Sequence, residues 1–324
     1  MCKQPVVGLL LLSCLLLSCC TGRQDGKDAG PRDFPMARVP AALTDADARV
    51  AWISEHYWDA FLDPSAALPS RDSVFNGVPS SGLEQQMGNY SFILQMVPVA
   101  EARKALGLLY DRLDDFEAQA KDDTLRTEIT RLLEKYLYDP NSPLRCEDAF
   151  HAVAARLSED GRLGDAERDR YAHIARMSAL NTAGTPAADF SFVDTKGRQH
   201  TLYGIRAERL LLVFGNPDCT ACGQLTEALS ADPVLAGQIR SGALKVVDIY
   251  IDEDIAGWKA RADSYPADWI NGCDPDGAIR SDRLYNVRAI PSLYLLDADK
   301  TVLLKDVPQE RLLDYLANQL NPTI

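Results

Sequence analysis

The chain has 324 residues, enough for about two domains, and its 46% hydrophobic and 25% charged side chains are an ordinary globular balance. The formal net charge of −13 argues against a nucleic-acid partner, because phosphate binding needs a basic face. There is no basic cluster of the kind that grips anionic lipid, and most of the acidic charge reads as a solvated surface.

Residues 1–18 stand apart from the fold. Lys3 precedes an apolar run from Pro5 to Ser18. The run is too short to span a bilayer, which takes ~20 residues, and it suits the h-region of a secretory signal. It ends in "LLSC", Leu16 to Cys19. This resembles the lipobox of bacterial lipoproteins, which implies that Cys19 is lipidated and becomes the first mature residue. Residues 19–40 are small, polar and rich in Gly and Pro, and read as a flexible tether. The protein is therefore expected outside the cytoplasm, in the periplasm or at the outer membrane. More than one acyl chain would hold it to a membrane, since one binds only marginally.

From 41 to 182 the apolar period is helical. "TDADARVAWISEHYWDAFLD" opens with Thr44 or Asp45 as an N-cap, and Val50, Ile53, Tyr57 and Phe61 recur at helical spacing. "LEQQMGNYSFILQMVP" stops at Pro98. "VAEARKALGLLYDRLDDFEAQA" and "DDTLRTEITRLLEKYLYDP" keep the i, i+3, i+4, i+7 spacing, and "YDPNSP" breaks it. Two further helices are expected near Cys146–Leu157 and Gly164–Leu180. Trp52, Tyr57 and Trp58 read as core, and His56, His151 and His173 have no nucleophile at motif spacing.

"NTAGTPAADF", Asn181 to Phe190, marks the boundary to a second domain over 186–324. "DFSFVDTKGRQHTLYGI" reads as two strands around a Lys196-Gly197 turn, and "RLLLVFG" as a buried strand. Cys219-Thr220-Ala221-Cys222 then opens a helix. "ALKVVDIYID" is a second buried strand. Helical patterns follow near Ile255–Ser264 and Ala278–Tyr285. "PSLYLLDADKTVLLKD" is a strand hairpin, and "QERLLDYLANQL" a last helix.

Of the eight cysteines, Cys2 and Cys14 would leave with the signal and Cys19 would carry lipid. Cys20, Cys146, Cys219, Cys222 and Cys273 remain, too few for a disulfide scaffold. A CxxC straight after an apolar strand, followed later by Ile290-Pro291 ahead of another apolar strand, resembles the thioredoxin fold of extracytoplasmic, membrane-anchored thiol–disulfide oxidoreductases. The expected architecture is a central mixed sheet with helices on both faces, preceded by an all-α domain. The helical half, through "EHYWDAF" and "EKYLYDPNSPLR", resembles a domain of uncharacterised family that precedes thioredoxin domains in bacterial lipoproteins.

Cys219 would sit at a helix N-terminus, where the dipole and free N–H groups stabilise a thiolate and make it the attacking nucleophile. Cys222, one turn further in, would resolve the mixed disulfide. The resemblance implies a cis Ile290–Pro291 bond, with Pro291 in the catalytic set and Ile290 presenting backbone to an extended substrate. It also implies protein thiol or disulfide substrates, an upstream thiol donor, a reducing direction and no cofactor.

Several positions depart from the pattern. Asp218, placed beside the substrate, stands where the family carries an aromatic, and its charge would oppose the dipole. No carboxylate lies in "LLLVF". Asp248 and Asp252 on the next strand could substitute, but read more simply as strand-end solvation. A zinc site needs about four ligands, and one CxxC with unpaired Cys273 and His200 does not supply them, so no metal is expected. Cys273 reads as an isolated loop residue or a third redox partner, and Cys146 as packing. The competing reading is a lipoprotein that uses the fold only as a binding module.

Overall fold

A computed structural model describes residues 31–122 and 124–320. The signal, Cys19, Cys20 and the first part of the expected tether lie outside the described residues. The helical region starts with α1 (Ala46–His56), capped by Asp45, whose carboxylate accepts from the Ala48 N–H at 2.8 Å. A minimal hairpin follows, β1 (Val74–Phe75) and β2 (Val78–Pro79), and then α2 (Ser80–Leu94) and α3 (Val99–Ala120). Next come α4 (Thr124–Leu133), prolonged by a π turn over Glu134–Tyr138, α5 (Glu147–Ser158) and α6 (Asp165–Ser178). Leu83, Met87, Leu109, Leu113, Ile129 and Phe150 bury one face of each of α2 to α5 in a common core, to which α6 adds Tyr171 and Ile174.

Two features correct the sequence reading of this half. It is helical except for the hairpin, whose signal was Asn76-Gly77: both residues take positive φ, 45° and 78°, as a tight two-residue turn requires. Asn76 is also a buried brace, donating to the Phe61 carbonyl at 2.5 Å and accepting from Leu68 N at 2.7 Å. The stretch read as a tether to residue 40 packs before its end. Phe34 stacks on Phe61 at 4.9 Å and meets Trp58 edge-on, and Arg32 N donates to the Gly77 carbonyl. Phe34 and Arg32 together anchor this Pro-containing segment, Arg32 through its side chain as well, which donates to the Asn76 carbonyl at 3.0 Å.

The second half contains β3 (Ser191–Asp194), β4 (Gln199–Thr201), β5 (Arg209–Gly215), α7 (Thr220–Ala231), α8 (Pro233–Ser241) and β6 (Leu244–Tyr250). It continues through α9 (Ile255–Ala260), β7 (Ile270–Cys273), α10 (Ala278–Ser281), β8 (Ser292–Asp297), β9 (Val302–Lys305) and α11 (Gln309–Leu320). The strands form one mixed sheet in the order β4-β3-β7-β6-β5-β8-β9, with β5, β6 and β7 parallel and the remaining pairs antiparallel. Alternation along β5 sends Leu210, Leu212 and Phe214 to one core and Leu211 and Val213 to the other. The latter face is covered by Leu225 and Leu229 of α7 and Leu312 and Leu316 of α11.

Two elements were not anticipated. For α8 the signals were an N-cap, Asp232, which accepts from Val234 N and Leu235 N, a proline at N1, and a C-terminal glycine in the left-handed region. For β7 there was no local signal. "INGC" is a strand because β6 and β3 pair with it on its two sides. Cys273 is therefore no loop residue; it is buried against Tyr250 and Trp258, which also removes it as an accessible redox partner.

The two halves meet through buried charge. The side chain of Lys305, at the end of β9, is 1% exposed; its Nζ lies 2.9 Å from Glu147 and 3.2 Å from Asp148, and donates to the Ser178 carbonyl at 2.7 Å. Removing one partner of a buried ion cluster strands the other charges. Lys305→Ala should therefore lower unfolding free energy by about 3–5 kcal/mol in denaturant titration. A loss below about 1 kcal/mol, the size of a surface pair, would show that the cluster is hydrated.

Candidate functional site

Strand β5 delivers the chain to the site through Asn216-Pro217-Asp218. Asn216 organises this loop: its Oδ1 accepts from Asp218 N at 2.9 Å, and its Nδ2 donates to Asp252 at 2.9 Å. Asp252 also pairs with Arg280 at 3.2 Å, so it acts as a loop anchor at the strand end. Cys219 is the N-cap of α7. Its sulfur accepts from Cys222 N at 3.2 Å, a contact that a thiolate accepts better than a thiol.

The Ile290–Pro291 peptide bond is cis, and the Ile290 carbonyl oxygen lies 3.8 Å from Cys219 Sγ. The fold thus brings together Cys219, Cys222 and the Ile290-Pro291 loop from positions some 70 residues apart in sequence. Cys219 is half-buried, while Cys222 is buried on the inner face of α7 with Leu225 and Leu229. Burial pushes the Cys222 thiol well above its usual range, and contact with Cys219 and the nearby Asp248 charge push it the same way.

Asp218 remains at the rim. Its side chain is 63% exposed and pairs with Arg261 at 3.1 Å. The anion that seemed set to oppose the helix dipole is turned outward and shared with a cation that no spacing in the sequence pointed to.

Asp248 corrects the sequence reading most. It is not solvating a strand end: it is 5% exposed, on the sheet face of Val246 that α7 covers. Its Oδ1 has no hydrogen-bond partner among the described residues. Desolvation raises its ionisation to about 7. Gly215 makes room for it, since a β-carbon there would stand 3.1 Å from Asp248 Oδ2. The Tyr265 hydroxyl lies within the fields of both Asp248 and Cys222. A lone acid within "KVVDIY" on the parity of buried residues was the available signal.

Among the described residues no group of three or more His, Cys, Asp or Glu side chains could hold a metal ion. Cys146, Cys219, Cys222 and Cys273 are all free thiols.

Residues 18–181 match the family described as a domain of unknown function (DUF5106). The chain belongs to the DUF5106 family. Its DUF5106 region ends where the boundary segment to the sheet begins. A thioredoxin-like protein from Bacteroides caccae, known from its crystal structure, is 32% identical with a TM-score of 0.74, over 88% of this chain and 98% of that one. The C-terminal domain of an uncharacterized Bacteroides fragilis protein is 43% identical over 42% of this chain and 98% of that one, with a TM-score of 0.41. No curated protein matches the chain. This DUF5106 protein therefore carries a thioredoxin-like sheet domain behind its helical region.

Proposed function

We propose that the chain is a thiol–disulfide oxidoreductase that reduces disulfides in proteins outside the cytoplasm, anchored to a membrane through lipid on Cys19. The observation that carries this reading is Cys219: a half-exposed sulfur at a helix N-terminus, contacted by the Cys222 N–H and facing the Ile290 carbonyl.

The chemistry follows from these contacts. The Cys219 thiolate attacks one sulfur of a substrate disulfide. A Cys219–substrate S–S bond forms, the substrate S–S bond breaks, and the departing thiolate takes a proton from water. Cys222 then gives up its proton, with Asp248, whose charge acts on it from the sheet beneath α7, as the acceptor, and attacks Cys219 Sγ. The Cys219–Cys222 disulfide forms and the second substrate thiolate leaves. The substrate gains two electrons and the protein loses two, so an upstream thiol donor must restore the dithiol.

Reduction of insulin disulfides by the mature protein tests this reading. Turnover that tracks an iodoacetamide-sensitive Cys219 supports it. A Cys219 that alkylates no faster than a free cysteine, together with no insulin reduction, leaves only a binding module. Radiolabelled palmitate incorporation that persists in Cys19→Ala would remove the proposed anchor.

A further inference from the structure

The helical region touches the sheet domain at the residues that flank the Ile290 carbonyl. Arg288, two residues before Ile290, lies over the Tyr138 ring at 4.2 Å and donates to the Tyr138 carbonyl. Its Nε is 3.2 Å from the Glu147 carboxylate. Glu147 also accepts from Asn286 Nδ2 at 2.8 Å and faces Lys305 at 2.9 Å. Two residues after Ile290, the Ser292 hydroxyl donates to Asp306 at 2.8 Å. Arg145 of the helical region donates to the Asp306 and Val307 carbonyls, both at 2.9 Å. The helical region thus holds the segment that faces Cys219 directly at its first end, through Asn286 and Arg288, and at its second end through Asp306, which Arg145 holds and which in turn accepts from Ser292.

We propose that Glu147 and Arg145 are positioning residues, through which the helical region fixes the Ile290 loop for pairing with an extended peptide disulfide. The inference rests on the oxidoreductase reading. Neither residue touches the reacting sulfurs, so they act through the loop. Pairing a peptide backbone to Ile290 needs a fixed carbonyl direction, whereas a small disulfide needs only an accessible Cys219. Loosening the loop should separate the two reactions.

The test uses the full mature chain with Glu147→Gln, and Arg145→Met as a second variant should the first fail to fold. Amide hydrogen exchange of residues 286–292 is read beside the rates of reduction of insulin and of hydroxyethyl disulfide. In a variant that keeps a cooperative unfolding transition, amide exchange in this segment should speed up by about tenfold or more. Insulin reduction should fall by about tenfold, while hydroxyethyl disulfide reduction stays within about twofold of wild type. Unchanged amide exchange with an unchanged rate ratio overturns the inference. Equal loss of both rates also overturns it, since that marks a general disturbance. A wild-type protein that reduces neither disulfide overturns the oxidoreductase reading instead, and the grip on the loop then stands or falls on amide exchange alone.

Discussion

Cys222→Ser should accumulate a stable mixed disulfide at Cys219, while Cys219→Ser should lose exchange to background. The asymmetry follows from position. Cys219 caps α7 and is half-exposed, with its sulfur in contact with a backbone N–H. Cys222 is buried one turn in, and its thiol is pushed up by burial. Only the first can meet an incoming disulfide, and only the second is placed to release it. With serine at 222 the attack proceeds and the resolving nucleophile is missing, so the adduct persists. Non-reducing electrophoresis of the variant isolated from cells, with and without dithiothreitol, makes the measurement. Equal adducts from both variants would falsify this division of roles, and no adduct from either would favour the binding-module reading.

The elements that make the site were legible because their signals are local. "RLLLVFG" is a buried run bounded by its own turn, and β5 spans it entirely. The dithiol opens α7 because, Gly223 apart, little after it resists a helix until Asp232 and Pro233. The final helix begins and ends as its apolar spacing dictates. The contacts that tune the site were not legible, because they are set by pairing between distant segments. Nothing in "INGC" marks β7 as a strand; β6 and β3 impose it. Arg261 meets Asp218 only because α9 ends beside the dithiol loop. Glu147 and Asp148 look like ordinary acids in the first turn of α5, where negative charge suits the dipole. Their burial against Lys305 appears only when the two halves dock. Asp248 lies between these cases. Strand parity could have placed it on the α7 face, but the absence of a β-carbon at Gly215, which lets it stay there, depends on register.

Asp248→Asn should make the protein more stable and a poorer reductase, and pH should separate the two effects. Ionisation at about 7, against 3.8 for a free side chain, means that the folded state holds an extra proton between those values. Stability therefore falls as pH rises through that window. Above pH 7 the buried charge costs on the order of 4 kcal/mol, at ~1.4 kcal/mol for each pH unit. Asparagine keeps the shape without the charge, so denaturant titration should show a gain of that order at pH 8 and almost none at pH 4. The rate should move the other way. Cys222 must lose a proton that burial makes hard to remove, and Asp248 is an acceptor whose ionisation sits near the working pH. Losing a positioned base costs roughly 100-fold at the low end of general-base effects, so single-turnover closure of the Cys219–Cys222 disulfide should slow by about that factor at pH 7. The rise in rate near pH 7 should vanish as well. A variant with an unchanged pH profile would make Asp248 a buried structural acid with no part in proton transfer, and its stability cost would then have no function to offset it.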